Sequence, residues 1–170
     1  TWVVKTGRHT ILIDTCLGND KQRHNAAWNK LDTPFLNRLR ACGCPPESVD
    51  FVMCTHLHVD HVGWNTRLVD GRWVPTFPNA RYIAGQIEFD HWAAAGNEGF
   101  DTKVRPLSER MTLIGDGTEV TAGITAMLAP GHTPGHMVFL IESEGARLML
   151  TADTANHFVW SLGYPDWEVR

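Results

Sequence analysis

Four side chains able to bind a metal fall within six positions, His56, His58, Asp60 and His61, directly after the apolar run 49–54. A short apolar run of this kind suits a strand buried on both faces of a sheet. A strand that ends in polar ligands puts them at a sheet edge, where the framework holds them while loops stay free for substrate. In extended chain, alternate side chains share a side. The spacing therefore predicts that His56, His58 and Asp60 project together, and that a helical turn starting near Asp60 swings His61 in beside them. One loop would then serve two adjacent metals. Imidazole and carboxylate suit zinc, and also iron or manganese, so the ligand types alone do not choose the metal.

Two further candidates stand at predicted strand ends, His132 in the run 129–136 and Asp153 in the run 150–154. An isolated histidine is usually a surface or satisfied core residue. Four ligand-forming side chains in six positions, with two more at strand ends, are hard to explain that way.

Around this cluster the chain reads as β-rich. Segments 2–6 and 10–14 flank Gly7-Arg8 as a hairpin, and 68–69 and 73–74 flank Asp70-Gly71, a pair that tolerates positive φ. Segments 111–114 and 119–121 flank Gly115-Asp116-Gly117, and 137–141 and 147–150 flank Glu144-Gly145. Such turns predict antiparallel pairing, and the strands are expected in one sheet. A helix is predicted over 33–41, with Thr33 as N-cap, Pro34 at the first helical position and Gly43 beyond its end. A second is predicted over 86–95, closed by Gly96. The fold class is α+β. The 170 residues, 43% of them apolar, form a single domain over 1–170, with both ends expected to be cut from a longer protein.

The net charge is −4 and no basic run exists, so the chain lacks a surface for nucleic acid or anionic lipid. No apolar stretch reaches the length of a membrane span. A small-molecule substrate is the expected partner, and nothing in the sequence speaks to oligomeric state. The four cysteines form no dense disulfide framework, and Cys42-Gly43-Cys44 lacks the two-residue spacing of zinc or redox pairs, so free thiols are expected. A cytoplasmic setting is favoured, with a secretion signal able to lie ahead of Thr1.

The run His56 to His61 has the His-x-His-x-Asp-His pattern, and with His132 in Pro-Gly-His-Thr-Pro-Gly-His and the later Asp153 it resembles the metallo-β-lactamase superfamily. The likeness is to the lactonase, glyoxalase II and phosphotriesterase-type branches, and it extends from Ile13-Asp14-Thr15 to Asp153. It implies an αββα sandwich holding two zinc ions. His56, His58 and His132 would hold one metal, Asp60 and His61 the second, and Asp153 would bridge. A metal-bound hydroxide would then attack a lactone, ester or phosphotriester, with Asp60 also carrying a proton to the leaving group. The superfamily uses one more histidine. His157 is the only histidine after Asp153 and stands too near it in sequence, so that ligand is expected beyond Arg170. Alternatives on the same fold are a mononuclear iron oxygenase and a catalytically silent metal-binding module.

Other residues are weighed more evenly. Trp64 either walls the substrate pocket or packs beneath the loop. Phe89, Trp92, Trp73 and Phe77 are more often core than an apolar mouth. His136 is expected to orient the His132 loop through hydrogen bonds rather than to ligate. His9, His24 and His91 stand alone.

Overall fold

The computed structural model describes residues 1–96 and 98–154. The first sheet contains β1 (Trp2–Lys5), β2 (Thr10–Ile13), β3 (Phe51–Met53), β6 (Arg81–Gly85) and β7 (Met111–Ile114), in that spatial order. A separate hairpin is made of β4 (Thr66–Val69) and β5 (Arg72–Pro75). The second main sheet contains β8 (Thr118–Thr121), β9 (Ile124–Leu128), β10 (Met137–Ser143) and β11 (Ala146–Leu150), ordered β11-β10-β9-β8.

The expectation of one sheet is thus corrected, as is that of uniform antiparallel pairing. β1 pairs antiparallel with β2, but β2, β3, β6 and β7 run parallel. The predicted hairpin across Gly115-Asp116-Gly117 does not form: β7 pairs with β6 and β8 with β9, so this turn carries the chain from one sheet to the other. Turn chemistry fixes a reversal but not the partner that each strand then finds. Where the two-residue turns are tightest the hairpins form as read. Val69 pairs with Arg72 across Asp70 and Gly71, and Ser143 with Ala146 across Glu144 and Gly145; all four turn residues have positive φ.

Alternation along β2 shows how the layers assemble. Leu12 joins a core with Val52, Tyr82 and Ala84 of the same sheet, into which Leu39, Phe100, Val104 and Leu107 pack from the helical side. Its neighbours Ile11 and Ile13 face the other way, into a core shared with Met53 and Ile83 and with Ile124, Ala126, Met137, Phe139 and Leu150 of the second sheet. The period of two therefore places one face of the first sheet against helices and the other against the second sheet.

The helices are α1 (Phe35–Ala41), α2 (Gln86–Ala95) and α3 (Glu98–Lys103). α2 has the predicted bounds and ends on Gly96 in the left-handed region. α1 is shorter than predicted. Pro34 occupies its N-cap, because the Thr33 hydroxyl donates to Asn19 Oδ1 instead of capping the helix. The β4–β5 hairpin is anchored by Lys21, which is 2% exposed; its Nζ donates to Thr66 Oγ1 at 2.8 Å and lies 3.6 Å over the Trp73 ring. Burial, then the neighbouring Lys103 and Arg23, pull its pKa down to about 7. All four cysteines are free, and no helix among the described residues is long and apolar enough to cross a membrane.

Candidate functional site

Strands from both sheets deliver polar side chains to one edge. β3 leads into Thr55 and the histidine loop, the β9–β10 connection carries His132, and β11 leads to Asp153. His56 is fully buried, and its Nε2 lies 3.0 Å from His58 Nδ1, which in turn lies 3.0 Å from His132 Nε2. Asp153 Oδ2 stands 3.3 Å from His132 Nε2, 3.3 Å from His61 Nε2 and 3.8 Å from His56 Nε2. Two compact groups result, His56-His58-His132 and His56-His61-Asp153, with His56 in both.

Asp60 belongs to neither group. Its side chain is 42% exposed, with Oδ2 3.7 Å from His61 Nε2. Simple alternation therefore does not carry through to position 60: the chain turns first, the His61 N–H donating to the His58 carbonyl at 3.0 Å. That turn brings the His61 ring to 4.0 Å from the His56 ring. His157 lies outside the described residues.

A residue not singled out from sequence organises the histidines. Asp14 follows β2 in the left-handed region, which aspartate tolerates better than most residues, and it is 7% exposed. Its Oδ1 accepts the Thr55 N–H at 2.9 Å, and its Oδ2 accepts both the Thr55 hydroxyl at 2.8 Å and His61 Nδ1–H at 2.9 Å. With its hydrogen committed to Asp14, the Thr55 oxygen accepts from His56 Nδ1, 3.1 Å away. Both imidazoles therefore carry their hydrogen on Nδ1 and turn a bare Nε2 lone pair toward the cluster, as a metal-binding histidine requires. The sequence held a signal for Asp14: like Asp153, it is a carboxylate that follows a strand, here directly.

Electrostatics favour the bare nitrogen at His56 and His58, while His61 holds its proton more tightly. Burial, followed by the His61, His58, His136 and His132 rings, holds His56 far below the usual histidine range. Burial and then His132 lower His58. Burial also pulls on His61, but the Asp14 hydrogen bond and the charges of Asp14, Asp60 and Asp153 outweigh it and raise that ring. Hydrogen bonding alone leaves the trio unresolved. His58 Nδ1 faces two nitrogens with at most one hydrogen, and His56 brings none, so one contact sets lone pair against lone pair. A cation among the three nitrogens would remove that conflict. Tetrahedral ligands about 2.0–2.1 Å from zinc lie ~3.3 Å from one another, close to the 3.0 Å separations here. The donor set fits such an ion.

The surroundings sort the other candidates. Trp64 is buried, stacks on Phe35 at 5.3 Å and also helps line a cavity of about 350 Å³ that reaches Asp60, so it packs and walls at once. Trp92 lies edge-on to His58 at 5.3 Å, whereas Phe77 is core. His136 is fully buried and stabilises its loop through the backbone, its N–H donating to the Thr133 carbonyl at 3.4 Å and its carbonyl accepting from Ala129 N–H at 2.8 Å. Its ring Nδ1 lies 3.5 Å from the Thr154 hydroxyl, and its Nε2 has no partner among the described residues.

Comparison with known proteins places this geometry in context. A family model, that of the metallo-beta-lactamase superfamily, matches residues 1–165. N-acyl homoserine lactonase AttM of Azorhizobium caulinodans is 32% identical over 143 residues, 73% of this chain and 48% of that protein. An N-acyl homoserine lactonase of a Bacillus species is 26% identical over 167 residues, 91% of this chain and 62% of its own length. The chain thus spans about half the length of AttM. Among solved structures, AidC, a dizinc quorum-quenching lactonase in complex with a product, superposes with a TM-score of 0.70 at 25% identity, over 89% of this chain and 54% of AidC. An N-acyl homoserine lactone hydrolase with N-hexanoyl-L-homoserine bound at its catalytic metal center gives 0.69 at 26% identity, over 89% and 61%.

Proposed function

The chain belongs to the metallo-beta-lactamase superfamily and has its fold, and from that premise we propose that it serves a zinc-dependent hydrolase that opens a small-molecule lactone. The observation that carries the proposal is the convergence of His56, His58 and His132, with Asp153 between this trio and His61. Relatives named as lactonases support the lactone over the ester and phosphotriester alternatives.

In this reading His56, His58 and His132 would hold one zinc ion, Asp60 and His61 a second, and Asp153 would serve both. When bound, such ions supply a water acidified toward neutral pH and a Lewis acid for the substrate carbonyl. The protein's own part is to keep the ligands bare and fixed. Asp14 does so for His61 directly and for His56 through Thr55. Trp92 covers one edge of His58 and limits the water around it. Asp60, whose side chain is 42% exposed, would pass a proton from the site to the departing alkoxide and exchange it with solvent. The cavity between Phe35, Trp64 and Asp60 offers an apolar berth next to the reacting centre.

The test is hydrolysis of N-acyl homoserine lactones by the zinc-loaded protein, followed by appearance of the ring-opened acid. His58→Ala should lower turnover by more than the roughly 100-fold that loss of an outer-sphere partner costs, and Asp60→Asn should abolish it. A chelator should silence the wild type, and zinc should restore it. Wild-type turnover in His58→Ala would sink the proposal.

A further inference from the structure

We propose that Glu88 is a positioning residue for the metal site, a single carboxylate that locks the loop bearing His56 and His58 to the loop bearing His132. The proposal rests on the metal-site reading above. Glu88 lies in the first turn of α2 and is 1% exposed, although a glutamate there would ordinarily face solvent. Its two oxygens address different loops. Oε1 accepts the Leu57 N–H at 3.0 Å and the Trp92 indole N–H at 2.6 Å, while Oε2 accepts the Gly135 N–H at 3.1 Å.

Each of these donors is tied to a histidine. Leu57 separates His56 from His58, Gly135 follows His132 by three residues, and the Trp92 ring lies against His58. Three N–H groups converge on the carboxylate, so the position demands a group that only accepts. Glutamine cannot satisfy it: whichever way its amide turns, its NH₂ meets a donor. The backbone supports the same contact. A Cβ on Gly135 would lie 2.1 Å from the Glu88 nitrogen and 2.6 Å from its Cα, so the His132 loop touches the start of α2 with no room for a side chain. The spacing of the three nitrogens that face one another thus depends on one helix-borne side chain as well as on the two sheets.

A merely structural glutamate would affect stability and leave metal binding alone, so the test reads the metal. Cobalt(II) is titrated into the full chain, its dissociation constant is measured by chelator competition, and its visible spectrum is recorded. Glu88→Gln should weaken cobalt binding about 10- to 100-fold, the usual cost of losing an outer-sphere partner, and shift the visible bands. Leu107→Ala, a destabilising change at a fully buried core residue outside the site, should leave the spectrum unaltered. Glu88→Asp, which keeps the charge but shortens the reach, should move affinity in the same direction and serves if the glutamine variant does not fold. Wild-type cobalt affinity and spectrum in Glu88→Gln, or in Glu88→Asp if that is the variant that folds, would overturn this proposal and leave the metal site standing. Equal loss in Leu107→Ala would reduce Glu88 to general stability and also overturn it. Failure of the wild type to bind cobalt would remove the metal reading and this proposal together.

Discussion

The two main sheets meet at the same site but contribute to it unequally. In the first sheet, Ile11, Leu12, Ile13, Val52, Met53 and Tyr82 are fully buried, because helices cover one face and the second sheet the other. Its strands and the segments after them supply the buried polar groups Asp14, Thr55, His56 and Glu88. In the second sheet, β10 is buried near the site at Met137, Val138 and Phe139, yet β11 leaves Leu148 and Met149 exposed. This sheet supplies His132 and Asp153, which stay partly exposed. Geometry is therefore held by the parallel sheet, and the cluster is completed from the antiparallel one. Parallel strands end side by side at one edge of the sheet, so several fixed acceptors can gather there, whereas a meander returns every second strand to the opposite edge.

The sharpest challenge to that contrast lies between the sheets. Ile83→Ala empties a site packed by both and should cost about 2–5 kcal/mol of unfolding free energy, read by urea denaturation; a cost below about 1 kcal/mol would mean that the sheets are not mutually packed. Next comes Asp14→Asn, which tolerates the left-handed backbone but puts an NH₂ against donors. It should weaken metal retention about 10- to 100-fold, measured by competition with a chelator, and unchanged retention would show that the histidines orient themselves.

A subtler effect concerns Lys21. Its folded pKa near 7 lies below the ordinary lysine value, so between about pH 7 and 10 the unfolded chain holds the proton more tightly, and stability should rise with pH. The urea midpoint should climb from pH 7 to 9 more steeply in the wild type than in Lys21→Met, and identical slopes would contradict the buried cation. Smallest of all, Leu148→Thr on the exposed β11 should stay within about 0.5 kcal/mol; a larger loss would reveal that this face is covered.

Much of the site was legible because ligand chemistry is concentrated in sequence. His56, His58, His61, His132 and Asp153, which the structure gathers, could be picked out without coordinates, whereas Asp60, picked with them, stands outside both groups. Asp14 carried the same signature but stood alone, with no neighbouring histidine to draw attention to it. Glu88 carried none, for a glutamate in the first turn of a helix is what solvent and the helix dipole both favour. Its burial follows from tertiary contact with Gly135, 47 positions along the chain. Sheet partners were hidden for a similar reason. Tight turns such as Asp70-Gly71 dictate local pairing, but the turn between β7 and β8 is compatible with either a hairpin or a change of sheet, and burial of Ile114 and Ile124 in the shared core decides it.

One contact bounds how this scaffold can diversify. A Cβ on Gly63 would fall 1.8 Å from the Leu17 carbonyl carbon, and one on Gly18 would fall 2.3 Å from the Gly63 oxygen. Gly63 N–H donates to the Cys16 carbonyl and Thr15 N–H to the His61 carbonyl, both at 2.6 Å. Main chain is thus sewn to main chain beside the histidine loop, with no room for a side chain at Gly18 or Gly63. New substrate preferences must be written into the walls, at positions such as Phe35 and Trp64, while this seam is inherited whole.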